Sequence, residues 1–180
     1  MITTKYALAK AVVDLIISIE LTVGEDLLQD VAASITEPVK ELLRSTSREV
    51  RSDLGQLFRA VAEDEGVPAR REAAFDLADT ISGTGPGDNS STSSTTDRVL
   101  AKAFMGLMND VELADEEDFD PDTAIKIMEA VSGYLAHVVP EQVHQNLVPL
   151  FRQVAEDEDD PAQRELAADF PEAIGLVSED

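Results

Sequence analysis

LFRAVAEDEGVPARREAA, running from Leu57 to Ala74, returns at Leu150 as LFRQVAEDEDDPAQRELA and ends at Ala167. Extended to Leu57–Leu77 against Leu150–Phe170, the two stretches agree at 14 of 21 positions, at an offset of 93. Upstream, Leu8, Ala9, Lys10, Ala11, Leu15, Glu20 and Leu21 match Leu100, Ala101, Lys102, Ala103, Leu107, Glu112 and Leu113 at an offset of 92, so one residue is gained between the blocks. Agreement of this density points to a duplicated unit of about 80 residues, covering roughly 4–81 and 97–174. The expected organisation is a first helical unit over 1–81, a linker over 82–97 and a second unit over 98–180. The linker, SGTGPGDNSSTSSTTD, is almost free of apolar side chains and has the composition of a flexible connector.

Each unit reads as four helices, making the fold class all-α. Leu8, Ala11, Val12, Leu15, Ile16 and Ile19 recur at three- and four-residue spacing, the mark of one apolar helix face. Gly24 follows that helix. A second helix is expected from about Glu25 to Leu43, kinked or split by Pro38, with Val131 standing at the matching place in the duplicate. The duplicate opens its second helix with Asp120-Pro121, a cap followed by a first-turn proline. The third helix follows Thr46 or Ser47, where Thr46-x-x-Glu49 has the spacing of a capping box. Its stripe Val50, Leu54, Leu57, Phe58, Val61 is repeated as Val143, Leu147, Leu150, Phe151, Val154, with a bend expected at Pro149. Pro68 and Pro161 mark the start of the fourth helices.

The net charge of −23 comes from 37 acidic and 14 basic residues, and only five of the basic residues are lysines. Such an excess self-repels at low ionic strength, whereas a Debye length of about 3 Å at 1 M salt removes most of that penalty. The composition resembles that of soluble proteins from salt-in halophilic archaea, which implies a high-salt cytoplasm. It disfavours direct nucleic-acid binding, which needs clustered cations to neutralise phosphates. The chain has no cysteine, so disulfides and thiolate chemistry are out. The apolar run Ala7–Leu21 is broken by Lys10, Asp14, Ser18 and Glu20, too short and too charged to span a bilayer or to read as a secretory signal.

The segment Leu147–Ile174 combines an apolar helix ending at Asp157, a short acidic turn with proline, then Arg164, Ala167 and Ile174. Leu57, Val61, Asp64, Pro68, Arg71, Ala74, Leu77 and Ile81 repeat that arrangement in the first unit. This pattern resembles a HEAT-like helical repeat pair. The resemblance implies that Asp64 with Arg71, and Asp157 with Arg164, fix the turns between antiparallel helices. The first two helices of each unit lack the pattern, which favours a compact four-helix arrangement over a long solenoid.

Candidate chemistry is sparse. The Ala-Glu-Asp-Glu runs at Ala62–Glu65 and Ala155–Glu158 lie at helix ends amid many other carboxylates and read as surface or turn residues. DEEDFDPD, Asp115–Asp122, lacks the alternation, central glycine and terminal glutamate of an EF-hand loop. His137 and His144 do not form a His-x-x-x-His ligand pair. No phosphate loop, nucleophile elbow or dinucleotide fingerprint is present, so no catalytic, cofactor or metal residues are expected. Arg44, Arg48 and Arg51 cluster in a chain poor in cations, opposite His137, Glu141 and His144 in the duplicate. They are expected either to pair locally with Glu41 and Glu49 or to dock an acidic partner. Residues 1–81 carry 15 acidic and 9 basic side chains, whereas 98–180 carry 20 and 5, so the second half is far more negative. The reading that emerges is a non-enzymatic scaffold or adaptor acting on a protein partner or on its own copies, with no membrane role. A structural component of a halophilic virus particle and an acidic nucleic-acid mimic are the alternatives.

Overall fold

Eight helices account for most of the described residues. The computed structural model describes residues 1–24, 26–83, 95–159 and 161–177, without the side chains at 162, 163 and 166. The helices are α1 (Thr4–Leu21), α2 (Gln29–Arg44), α3 (Arg48–Asp64), α4 (Pro68–Ser82), α5 (Thr96–Glu112), α6 (Pro121–Gly133), α7 (Glu141–Glu156) and α8 (Pro161–Ala173). Most of the expected linker, 84–94, lies outside the described residues; its two ends are helical, since Ser82 closes α4 and Thr96 opens α5.

The middle of the molecule is α1 packed along α5, with α2 against α5 and α6 against α1 around them. Ala7, Leu8, Ala11, Val12, Leu15, Ile16 and Ile19 of α1 have no exposed surface. A helix apolar on nearly all sides is one that must be surrounded, and α1 touches α2 through α7. α5 takes the same place from the other side, with Leu100, Ala103, Phe104 and Leu107 fully buried.

Residues 92 or 93 apart meet each other across this centre. Leu27 and Phe119 form an isolated antiparallel bridge. The Leu28 amide donates to the Asp118 carbonyl at 3.3 Å, and the Asp120 amide donates to the Asp26 carbonyl at 2.8 Å. Each bond is the other with the partners exchanged at an offset of 92, the pattern produced by a local two-fold axis. Side chains repeat it: Thr96 Oγ1 donates to Asp53 at 2.7 Å, and Asn146 donates to Thr4 Oγ1 at 3.4 Å.

That bridge alters the expected second helix. α2 starts at Gln29 rather than near residue 25, because Leu27 forms the bridge, Leu28 is extended, and the Asp26 carbonyl and Leu28 amide are bonded across to the second half. Gly24 turns the chain into it with φ of 154°, a conformation that side chains other than glycine's rarely adopt. α2 and α7 run without interruption past Pro38 and Pro149, so neither proline splits its helix.

The extra residue of the second half is also located. α6 matches α2 at an offset of 92, since Ala32, Ile35, Val39 and Leu43 are buried like Ala124, Ile127, Val131 and Leu135. α7 matches α3 at 93, and between them lies a π-helical turn, Tyr134–Val138, closed by the Val139 amide on the Tyr134 carbonyl. A π turn is how a helix absorbs one inserted residue without losing its later register. Pro38 therefore corresponds to Ala130, not Val131, and Arg44 to Ala136, not His137.

Candidate functional site

The three arginines sit in three different settings. Arg51 is only 5% exposed, and its guanidinium donates to the carbonyls of Thr46 (2.7 Å) and Arg44 (3.1 Å) at the end of α2. It satisfies helix-terminal acceptors that would otherwise be orphaned. His144 does the equivalent work in the second half, its Nε2 lying 2.6 Å from the Leu135 carbonyl. Arg44 sits beside Glu41 at 3.2 Å and Glu37 at 3.6 Å. Arg48 is exposed at the first position of α3, whose cap is Ser47 accepting from the Val50 amide rather than the expected Thr46 box. The local-pairing alternative thus describes Arg44, though with Glu37 in place of Glu49.

The turn pairs are divided differently from the repeat-family expectation. Arg71 donates twice to the Glu65 carbonyl, at 2.8 and 2.6 Å, and Arg164 donates twice to the Glu158 carbonyl, at 2.9 and 2.7 Å. Both arginines lie at their turns, but the acceptor is backbone. Asp64 instead accepts from the Tyr6 hydroxyl at 2.5 Å, and Asp157 pairs with Arg98. Tyr6 and Arg98 are matching residues of α1 and α5, so each aspartate ties the end of the third helix to the start of the first. Burial, then the Asp64 bond, pushes the Tyr6 phenol well above its usual range.

A feature that sequence reading missed lies in the second half. α4 packs against α1 and α2 as well as α3, whereas among the described residues α8 packs chiefly on α7 and reaches α5 through Phe170. The result is a cavity of about 500 Å³. Met105, Met108, Met128, Phe170 and Ile174 form its apolar walls. Phe170 is held edge-on against Phe104 and Phe151, with ring centroids 5.4 and 5.2 Å away. Glu112, Glu129 and Glu158 stand along it with Lys102. Three of the chain's four methionines lie here, giving an adaptable lining of soft, flexible side chains.

The corresponding region of the first half is occupied by its own cations. Lys40 pairs with Glu20 and, at 3.2 Å, with Glu37. Arg70 bonds Ser18 at 3.1 Å, Asp14 at 3.2 Å and Glu65 at 3.3 Å. Burial opposes the charge on Lys40, yet Glu20 and Glu37 together raise its pKa. Glu65 is held below its usual range by the Val67 amide and, after the opposing effect of burial, by Arg70. At the matching positions the second half keeps Glu112, Glu129 and Glu158 but has Ser132 for Lys40, Gln163 for Arg70 and Gly106 for Asp14. The repeat did contain the signal, as cations lost opposite retained carboxylates, but only the α2–α6 register set by the π turn aligns Lys40 with Ser132.

Among the described residues no group of His, Asp and Glu has the arrangement to hold a metal ion, and no helix is long and apolar enough to cross a membrane. Asp120, in the acidic loop, caps α6 by accepting from the amide and hydroxyl of Thr123 at 2.8 and 2.7 Å, which lowers its pKa. No protein-family model, curated protein or solved structure matches the chain.

Proposed function

We propose that the chain is a tandem duplicate of a four-helix unit that works as a non-enzymatic scaffold or adaptor in a high-salt cytoplasm. Its halves are joined through α1 and α5, and the second half presents its Met-lined groove to a protein partner. The observation that carries this reading is the asymmetry of the halves: one region filled by internal ion pairs, its counterpart open and edged by Glu112, Glu129 and Glu158, which make no ion pair among the described residues. An exposed concavity with apolar walls and a polar edge is the usual anatomy of a recognition site. The experiment is affinity capture with the whole chain in molar KCl, with the co-eluting proteins weighed and identified. One protein recovered in near-stoichiometric amount supports the reading, and a chain that elutes alone at every salt concentration overturns it. High-salt adaptation has its own check, a melting temperature that climbs between dilute buffer and molar KCl as the 37 carboxylates are screened. A flat profile excludes that part of the proposal.

A further inference from the structure

The geometry points to a specific occupant of the groove: an amphipathic helical segment of a partner protein that supplies arginine or lysine side chains in place of Lys40 and Arg70, which have Ser132 and Gln163 as counterparts in the second half. This inference rests on the adaptor reading above and adds the chemistry of the ligand. The first half acts as its template. There Lys40, with 15% of its side chain exposed, reaches Glu20 and Glu37, while Arg70 lies across α1 to Asp14 and Glu65. Long cationic side chains lay their methylene stems on apolar surface and place their charged heads on carboxylates at its edge. The second half keeps the three acceptors, Glu112, Glu129 and Glu158, and replaces both cationic donors by Ser132 and Gln163. A partner cation at this edge reproduces an interaction the molecule already makes with itself 92 or 93 residues earlier.

Two further observations select a helix as the occupant. Along α5 the lining extends from Lys102 to Glu112, about 15 Å at the rise of an α-helix, the length of roughly three turns of a ligand helix. The walls are methionine and phenylalanine, which repack around apolar anchors at helical spacing. The half that contains the groove is also the more acidic, with 20 acidic against 5 basic residues over 98–180, so a basic segment is favoured over an acidic one. Direct carboxylate–guanidinium contact survives concentrated salt better than long-range attraction does.

The test uses the full chain with methyl-labelled methionine in molar KCl and an 18-residue amphipathic helical peptide of leucine, alanine and arginine. Met105, Met108 and Met128 report on the groove and Met1, fully exposed, is the internal control. The three groove methyl signals are expected to shift saturably while Met1 stays still. The same peptide with glutamate for arginine is expected to leave all four unmoved. Replacing Glu112, Glu129 and Glu158 with glutamine is expected to weaken binding about tenfold. Ser132→Lys, which restores the first half's internal cation, is expected to weaken it comparably without unfolding the chain. Still groove methyls with the arginine peptide, or equal shifts with the glutamate peptide, overturn the proposal without using any variant. A captured partner whose recovery is indifferent to Ser132→Lys leaves the adaptor reading standing and overturns this one, whereas no captured partner at all is the failure of that reading.

Discussion

The two halves of this molecule make reciprocal backbone contacts where they meet, but different side-chain contacts on their outer faces. At the centre, Leu8 and Leu100 are both fully buried, and the amides of Leu28 and Asp120 make reciprocal bonds to Asp118 and Asp26. On the outer side, α4 lies against α1 and α2 under the ion pairs of Lys40 and Arg70, while α8 touches α5 through Phe170 and borders a cavity lined by methionines. A shared interface constrains both halves together, because each position there packs against its own counterpart or that counterpart's neighbours. An outer groove is constrained by its own half alone.

Substitutions in matched pairs break or sharpen this comparison. The largest effect is expected at the centre, where Leu8→Ala and Leu100→Ala should each cost roughly 2–5 kcal/mol, with similar values for the two. Equilibrium unfolding of both variants measures it, and a loss in one half only would mean that the centre is not shared. The helix caps come next. Asp120 caps α6 with its side chain, whereas Leu28, its counterpart before α2, makes no cap bond and is exposed. Asp120→Ala should lower the melting temperature by about 3 °C, and Leu28→Asp should recover a comparable amount by giving α2 the cap that α6 has. Thermal melts of the two variants test that symmetry, and equal losses would show that the bridge backbone leaves no room for a cap at Leu28.

A smaller effect is expected from opening the first half. Lys40→Ser should cost about 0.5 kcal/mol, given the exposure of its glutamate partners. The matched change Ser132→Lys should be neutral to slightly stabilising in the absence of a partner, as read by chemical denaturation. The smallest concerns Asp53, whose counterpart is the neutral Asn146. The Lys5 and Thr96 bonds hold the Asp53 carboxyl below its usual range. A depressed folded pKa adds stability above the ordinary aspartate pKa of about 4 and loses it as pH falls through the folded value. Asp53→Asn should therefore lower the melting temperature by about 1 °C at neutral pH, with the gap to the parent chain closing on acidification below about pH 4. A gap that stays constant with pH would assign the effect to the Thr96 hydrogen bond instead of the charge.

Much of the scaffold was legible in the residues. Three- and four-residue periodicity, the prolines Pro68, Pro121 and Pro161, and the two copies of the Leu57 segment are local signals, and the helices lie where those signals put them. The second helix was misjudged because Asp26–Leu28 carry ordinary polar and apolar side chains, and only a strand partner 92 residues away makes that backbone extended. Arg44, Arg48 and Arg51 are close in sequence, but helix geometry turns Arg51 inward onto the carbonyl end of α2.

By itself, then, the sequence determined an all-helical chain, its internal repeat, its excess of carboxylates and the residues of its apolar faces, because each depends on composition or on neighbours within a few turns. Tertiary structure alone decided three things: that the halves meet through α1 and α5, that the inserted residue is taken up in the π turn at Tyr134–Val138, and that a cavity lies under α8. Each of these depends on how far one helix stands from another. That distance is set jointly by side chains distant in sequence, so no local pattern records it.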